Sequence, residues 1–364
     1  MKTYVNVHET LVIAPNFKRR LSGVTSTIVQ LMPLQRALGL NIAAFGPGLP
    51  DVVPVMRLQD IWRLWFSPVG SLVRIWHARR NVEMIAGLVL RHILRMKVKL
   101  VFTSAAQRDH RPFTKWLIRR MDRVIATSAR SGAFLTVPHD VILHGIDTEA
   151  FHPASTPQDY FAASGLPGKF AVGCSGRIRH QKGTDLFVEA MIALLPQFPD
   201  WTAIITGRTT SEHQGFEQEL RDRIAASGLQ DRILFLGEVT DIKVWYRRFS
   251  LFVAPSRNEG FGLTPLEAMA SGTTVVTSDA GAYAELVVDS VGAVVPADNL
   301  AALTAAIQDF MATPDKTLET GLRAREHVVE KFRLENEAKA LIAVYRELLE
   351  QSGISRNRHF ALGI

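Results

Sequence analysis

Two doubly wound α/β domains facing a central cleft are the fold this sequence predicts, and three observations predict it. The chain has 364 residues, more than one ordinary hydrophobic core organises. Short apolar runs bounded by Gly, Pro or Asp alternate with longer stretches of helical spacing, the pattern of a parallel sheet covered by helices on both faces. Near mid-chain a segment carrying Pro153, Pro157, Gly165, Pro167 and Gly168 interrupts that alternation, so residues 151–168 read as a linker.

The first domain spans residues 1–150. Its strands fall near Leu11–Ala14, Ile42–Phe45, Leu100–Thr103, Val124–Thr127 and Val141–Leu143. The second domain, residues 169–340, alternates more cleanly. Its strands are Phe170–Cys174, Ala203–Thr206, Ile233–Leu236, Leu251–Pro255, Thr274–Thr277 and Ala293–Val295. Helical spacing fills the gaps at Asp185–Leu195, Phe216–Ala226, Leu266–Ala270 and Leu300–Met311. Residues 341–364 form a C-terminal helix and tail, its amphipathic stretch beginning near Glu335, and that helix is able to pack back on the first domain.

Composition narrows the function classes. Cys174 is the only cysteine, which excludes a disulfide framework and any multi-cysteine metal site. The opening MKTYVNVHET lacks a signal-peptide core, and apolar runs such as Met84–Leu90 are too short for a bilayer, so a cytoplasmic protein is expected. Residues 1–150 hold 21 Lys/Arg against 9 Asp/Glu, a net of +12, whereas the remainder is net −5. The first half should therefore meet something anionic: nucleic acid, a lipid surface or an acidic substrate. A nucleic-acid-binding protein is the rival of another class, but the chain has no recognised binding motif for one.

Neither a G-x-G-x-x-G after the first strand nor a G-x-x-x-x-G-K-[ST] is present, which argues against a dinucleotide oxidoreductase and a P-loop NTPase. The densest chemical signal is residues 255–272, PSRNEGFGLTPLEAMASG, following an apolar strand and opening a helix. Gly260 and Gly262 let backbone N–H groups approach a ligand closely, and the helix from Pro265 aims its positive end at the same place. Glu259 in the loop and Glu267 in the first helical turn can both reach a ligand there. Glu267 has a second reading, because Thr264-Pro265-Leu266-Glu267 is also a capping box. The other signal is Gly176-Arg177-Ile178-Arg179-His180-Gln181-Lys182-Gly183, directly after a strand. Arg177 supplies a planar fork and Lys182 a point charge, a pair suited to a diphosphate.

Together these loops resemble the retaining GT-B glycosyltransferases of family 4, which carry a G-R…K-G pair and an E-x7-E motif in a second Rossmann-like domain. Further matching pieces are Thr206-Gly207-Arg208, Leu236-Gly237-Glu238-Val239 and the segment 280–286, so the match runs in order through nearly all of residues 140–295. The resemblance implies that residues 1–150 bind the acceptor and residues 169–340 a nucleotide-sugar donor, whose diphosphate Arg177 and Lys182, behind Gly176, hold. It implies that Glu267 binds the ribose, that Glu259 and the amides of Phe261, Gly262 and Leu263 hold the sugar, and that Val239 flanks the base. Ser22 and Gly23 stand where the family has a Gly-Gly loop beside the phosphates. His144 replaces the family's Asn at the domain junction, where a lone His is more often structural. The cleft histidine that many members carry after the strand ending in Thr103 has no clear counterpart; Gln107 and His110 are the candidates. No metal and no other cofactor is implied, and no general base is named because the acceptor attacks on the leaving-group face.

Within the family, residues 16–27 and 116–122 look like the mannosyltransferases of bacterial lipopolysaccharide core assembly. That likeness implies GDP-mannose as donor and an acidic, lipid-linked saccharide as acceptor, with Lys18, Arg19 and Arg20 on the acceptor side. Residues 61–108 place Trp62, Trp65, Phe66 and Trp76 among basic residues including Arg74, Arg79 and Arg80, with Glu83 the only acid. Such a composition predicts peripheral docking on an anionic membrane, at the inner face of the cytoplasmic membrane.

Overall fold

The computed structural model describes residues 3–18 and 23–352, which divide into two compact units. Unit 1 runs to Gly145 and resumes at Leu334; unit 2 is Ile146–Arg333. The sheet of unit 1 consists of β1 (Val12–Pro15), β2 (Ile42–Phe45), β3 (Arg74–Ala78), β4 (Val98–Ser104), β5 (Arg123–Ala126) and β6 (Asp140–Val141). Their order is β2-β1-β3-β4-β5-β6, parallel throughout. Unit 2 contains β7 (Phe170–Ser175), β8 (Trp201–Thr206), β9 (Ile233–Gly237), β10 (Leu251–Ala254), β11 (Thr274–Ser278) and β12 (Gly292–Val295), in the order β12-β11-β10-β7-β8-β9 and again parallel. Both are the doubly wound α/β sheets the alternation predicts, the second with the strand order of a dinucleotide-type fold.

Strand β3 has no counterpart among the expected strands, because Arg74 and His77 make its five residues read as polar. Both are almost fully buried, and the structure satisfies each. Arg74 donates to the carbonyls of Thr10, Val7 and Phe66, and burial lowers its pKa to about 10. His77 bonds the Tyr345 hydroxyl through Nδ1 at 2.6 Å and Thr103 Oγ1 through Nε2 at 2.7 Å. Burial, then the nearby Arg79 charge, pushes its pKa well below the ordinary value, so this ring is a neutral core residue.

The expected linker is instead folded into unit 2. Phe151 and Phe161 are buried, and Asp159 accepts from the amides of Ser155 and Thr156 while pairing with Arg247 at 2.6 Å. Pro157 opens the short 3₁₀ turn Pro157–Asp159, and a second, Phe161–Ser164, follows it and ends at Gly165. The C-terminal helix, Leu334–Glu350, belongs to unit 1 from its first residue, so residues 334–340 leave the second domain. Its Leu341, Tyr345 and Leu348 enter the core formed by Ile28, Leu31 and Met32. Glu337 on that helix accepts from the Gly145 amide and pairs with His144, each at 2.8 Å, which gives His144 a structural role.

Of the aromatic and basic residues expected on the surface, several are internal. Trp76 is 1% exposed and donates its indole N–H to the Glu83 carbonyl at 2.8 Å. The Glu83 carboxylate, fully buried, accepts from the Arg79 amide and pairs with Arg80 at 2.7 Å. Arg80 also reaches Asn16 and Thr25. Arg80 therefore ties the loops after β1 and β3 together, Arg79 donates to the His77 carbonyl, and neither is a free surface charge. Trp62, Trp65 and Phe66 are about half exposed, as expected.

Candidate functional site

In unit 2 the strand order reverses between β7 and β10, and the crevice outside the carboxyl ends of such a pair is where open α/β sheets bind ligands. The two chemically dense loops leave those two strands. Sheet topology thus brings Arg177 and Lys182, from the loop after β7, beside Glu259 and Glu267, from the loop after β10.

After β7 the chain passes Gly176 at φ 144°, makes a 3₁₀ turn over His180–Lys182 and reverses at Gly183, φ 69°. A side chain at Gly183 would collide with the Pro255 carbonyl oxygen, so glycine here lets the two loops pack directly together. Arg257 fastens them. Its guanidinium grips Asp185 through two bonds of 2.8 and 2.7 Å, reaches Asp298 at 2.6 Å and donates to the His180 carbonyl at 2.7 Å. The Asp185 bond, then that to Asp298, raises the Arg257 pKa; at Asp185 burial pushes upward but the Arg257 bonds prevail and hold it low. Sequence reasoning missed Arg257, although it lies within the motif segment.

Within this frame Lys182 and Glu259 form an ion pair, each side chain less than one-fifth exposed. Glu259 also accepts from its neighbouring Gly260 amide at 3.1 Å and from the buried Tyr283 hydroxyl at 3.4 Å. Burial, then the Glu259 charge, raises the Tyr283 pKa far above normal, so the phenol stays a donor. Gly262, φ 92°, lies against the Tyr283 ring, where a Cβ would overlap Cε1. The amides of Gly262 and Leu263 donate to no protein acceptor among the described residues. Phe261 is buried. The following helix, Thr264–Ala270, is only seven residues long, so the loop amides rather than a macrodipole carry the attraction for an anion.

The capping box at Thr264 does not form. The N-cap is Leu263 with no side-chain cap bond, and Glu267 turns inward to accept from Tyr246 Oη at 2.7 Å. Burial raises the Glu267 pKa, opposed by the Tyr246 bond and the Lys182 charge. Nothing local signals this partner, which lies 21 residues upstream. Arg177 is exposed and makes no ion pair among the described residues, leaving its guanidinium available. Val239, half-buried, follows the carboxyl end of β9 at the edge of the sheet. A small pocket between the loops is lined by Gly176, Arg177, Lys182, Ser256, Thr264 and Tyr283 among others. Such a site can hold a diphosphate by its cations and a polyol by its carboxylates. Among the described residues, no group of three His, Cys, Asp or Glu is placed to hold a metal ion.

In unit 1, Gln107 Nε2 donates to Ser128 Oγ at 3.2 Å and His110 Nε2 lies 3.2 Å from Ser104 Oγ, so both fold back on the loops after β4 and β5. Burial lowers the His110 pKa. Lys18 is exposed after β1, and Gly23 starts the helix Gly23–Ala37. Arg19, Arg20 and Ser22 lie outside the described residues. No helix among the described residues is long and apolar enough to cross a membrane.

Residues 158–327 match the family described as glycosyl transferases group 1. The chain is 60% identical over 345 residues to the lipopolysaccharide core biosynthesis mannosyltransferase LpcC of Rhizobium leguminosarum bv. viciae, covering 94% of this chain and 98% of that one. It is 54% identical to the corresponding enzyme LpsB of Rhizobium meliloti, over 95% of this chain and 99% of that one. Among solved structures, Anabaena Alr3699/HepE in complex with UDP matches with a TM-score of 0.77 at 20% identity, covering 92% of this chain and 99% of that chain, a likeness of fold.

Proposed function

The chain belongs to the group 1 glycosyltransferase family, with the GT-B fold, and on that premise we propose that it transfers mannose from GDP-mannose to a lipid-linked, acidic lipopolysaccharide-core acceptor with retention of configuration. The observation that carries mannosyl transfer in lipopolysaccharide core synthesis is near-full-length identity of 60% to a lipopolysaccharide core biosynthesis mannosyltransferase. The site geometry supports the transfer step. Arg177 and Lys182 bind the diphosphate and stabilise the charge that develops on it as the bond from C1 of the sugar to the phosphate oxygen breaks. Glu259 and the amides of Gly262 and Leu263 orient the sugar. The acceptor hydroxyl bonds to C1 on the departing face and gives its proton to the leaving phosphate oxygen, so no protein base and no metal ion is required. Release of Lys182 from Glu259 to the diphosphate is the rearrangement that donor binding demands. Titrating the protein with a panel of nucleoside diphosphates tests the donor assignment: GDP should bind tightest, and a preference for UDP would overturn it.

The acceptor is held at the inner face of the cytoplasmic membrane, on which unit 1 docks without crossing. Support comes from Leu58, Trp62, Trp65, Phe66, Val69 and Leu72, six large apolar side chains each about half exposed or more within fifteen residues. Trp65 donates to the Leu94 carbonyl at 2.6 Å, which sets the exposed Arg95 and Lys97 alongside. Aromatics at an interface with cations beside them suit a lipid surface, each cation near acidic lipid contributing about 1 kcal/mol.

A further inference from the structure

Glu267 has two carboxylate oxygens, and the protein occupies one. Oε2 receives the Tyr246 hydroxyl at 2.7 Å, whereas Oε1 has no partner among the described residues. Tyr246 itself is 1% exposed. Its ring is wedged among Phe151, Phe249 and Phe252, with centroids 6.0, 6.3 and 5.4 Å away, and Thr273 Oγ1 anchors its carbonyl at 2.7 Å. Near the phenol lies Ser175, whose Oγ accepts from Thr206 Oγ1 at 2.9 Å. Ser175 and Thr206 are register partners at the carboxyl ends of β7 and β8, so the sheet itself brings them together.

Each hydroxyl has a single proton, and an ionised carboxylate can only accept. The direction of the bond is thereby fixed: Tyr246 donates to Glu267. We propose that Tyr246 is a positioning residue that pins one oxygen of Glu267 and presents the other to the ribose hydroxyls of the donor nucleotide. The inference rests on the donor-transfer reading of the site and adds what makes Glu267 selective. A carboxylate free to rotate would spread its acceptor capacity over several directions; one held by a buried phenol offers a single fixed oxygen, the condition for discriminating a vicinal diol from a ring that lacks it. The same donor bond favours the charged form against the cost of burial.

The test uses the full chain, wild type and Tyr246→Phe, titrated calorimetrically with GDP and with its 2′,3′-dideoxyribose analogue. Wild type should prefer GDP by about tenfold or more, as expected when a buried acceptor loses its ligand hydroxyls. Tyr246→Phe keeps the ring and its packing, so it should lose most of that preference through weaker GDP binding, with binding of the dideoxy analogue unchanged. An equal loss for both nucleotides in Tyr246→Phe, or an undiminished preference, overturns the positioning role. A wild type that binds both nucleotides equally overturns the reading of Glu267 before any variant is made, and one that binds neither overturns the donor-transfer function.

Discussion

Replacing Arg257 by Lys tests whether the two site loops are held as one body. The substitution keeps a positive charge but removes the planar fork that meets both oxygens of Asp185 while reaching Asp298 and the His180 carbonyl. A lysine ammonium can satisfy Asp185 at one oxygen and cannot span the other three contacts. The Asp298 contact counts for little, since that side chain is 65% exposed. The second Asp185 bond is half-buried and the His180 bond exposed, but both are charge-assisted, so their loss should cost about 2–3 kcal/mol together. For a unit of this size each kcal/mol lowers Tm by about 2–4 °C, which gives a fall of about 4–12 °C. Calorimetric melting measures that shift. Because Arg257 also steadies the turn that ends in Lys182, the KM for donor should rise about fivefold or more in the same variant. A Tm within 1 °C of wild type by the measure above, with an unchanged KM, would refute the idea that this clamp organises the site.

Arg177→Ala and Lys182→Ala should each lower turnover by about tenfold or more, since contacts to a developing anion are worth several kcal/mol; wild-type rates in both would remove them from the mechanism. Glu267→Gln should weaken GDP binding without lowering Tm, because burial already disfavours its charge. A group whose folded pKa is raised costs stability as pH rises through the interval between the unfolded and folded values, so the Gln variant should gain on wild type over that interval; a Tm that drops at neutral pH returns Glu267 to a purely structural role. Chelator-treated protein should keep its activity, and loss with EDTA followed by rescue with a divalent ion would contradict the assignment of the diphosphate to Arg177 and Lys182. Vesicle co-sedimentation at low salt should show binding to anionic but not neutral lipid, diminished by a joint Trp65→Ala and Phe66→Ala change; indifference to lipid charge would sink the docking surface.

Much of unit 2 was legible because its central strands are largely buried and so appear as apolar runs, two of which, β7 and β10, end in the glycine-bearing loops that carry the chemistry. The spacing of Glu259 and Glu267 was visible for the same reason. What stayed hidden depends on partners distant in sequence. Arg74 and His77 disguised β3, because their satisfaction by Thr10, Val7, Thr103 and Tyr345 is a tertiary fact. Thr264-Pro265-Leu266-Glu267 matched a local capping rule that Tyr246 overrides. Pro and Gly in residues 151–168 signalled a break in regular structure correctly, but a break is compatible with burial as well as with a linker. Trp76, Arg79 and Arg80 read as surface residues by composition, whereas Glu83, fully buried, draws the two arginines inward.

Incubating the purified protein with GDP-mannose and a lipopolysaccharide-core acceptor, and analysing the product by mass spectrometry and by NMR of the new anomeric centre, tests the central claim most directly. The account predicts an acceptor heavier by a single hexose, joined through the α configuration already present in the donor. An acceptor left unmodified while other nucleotide sugars are consumed, or a β-linked product, would contradict it.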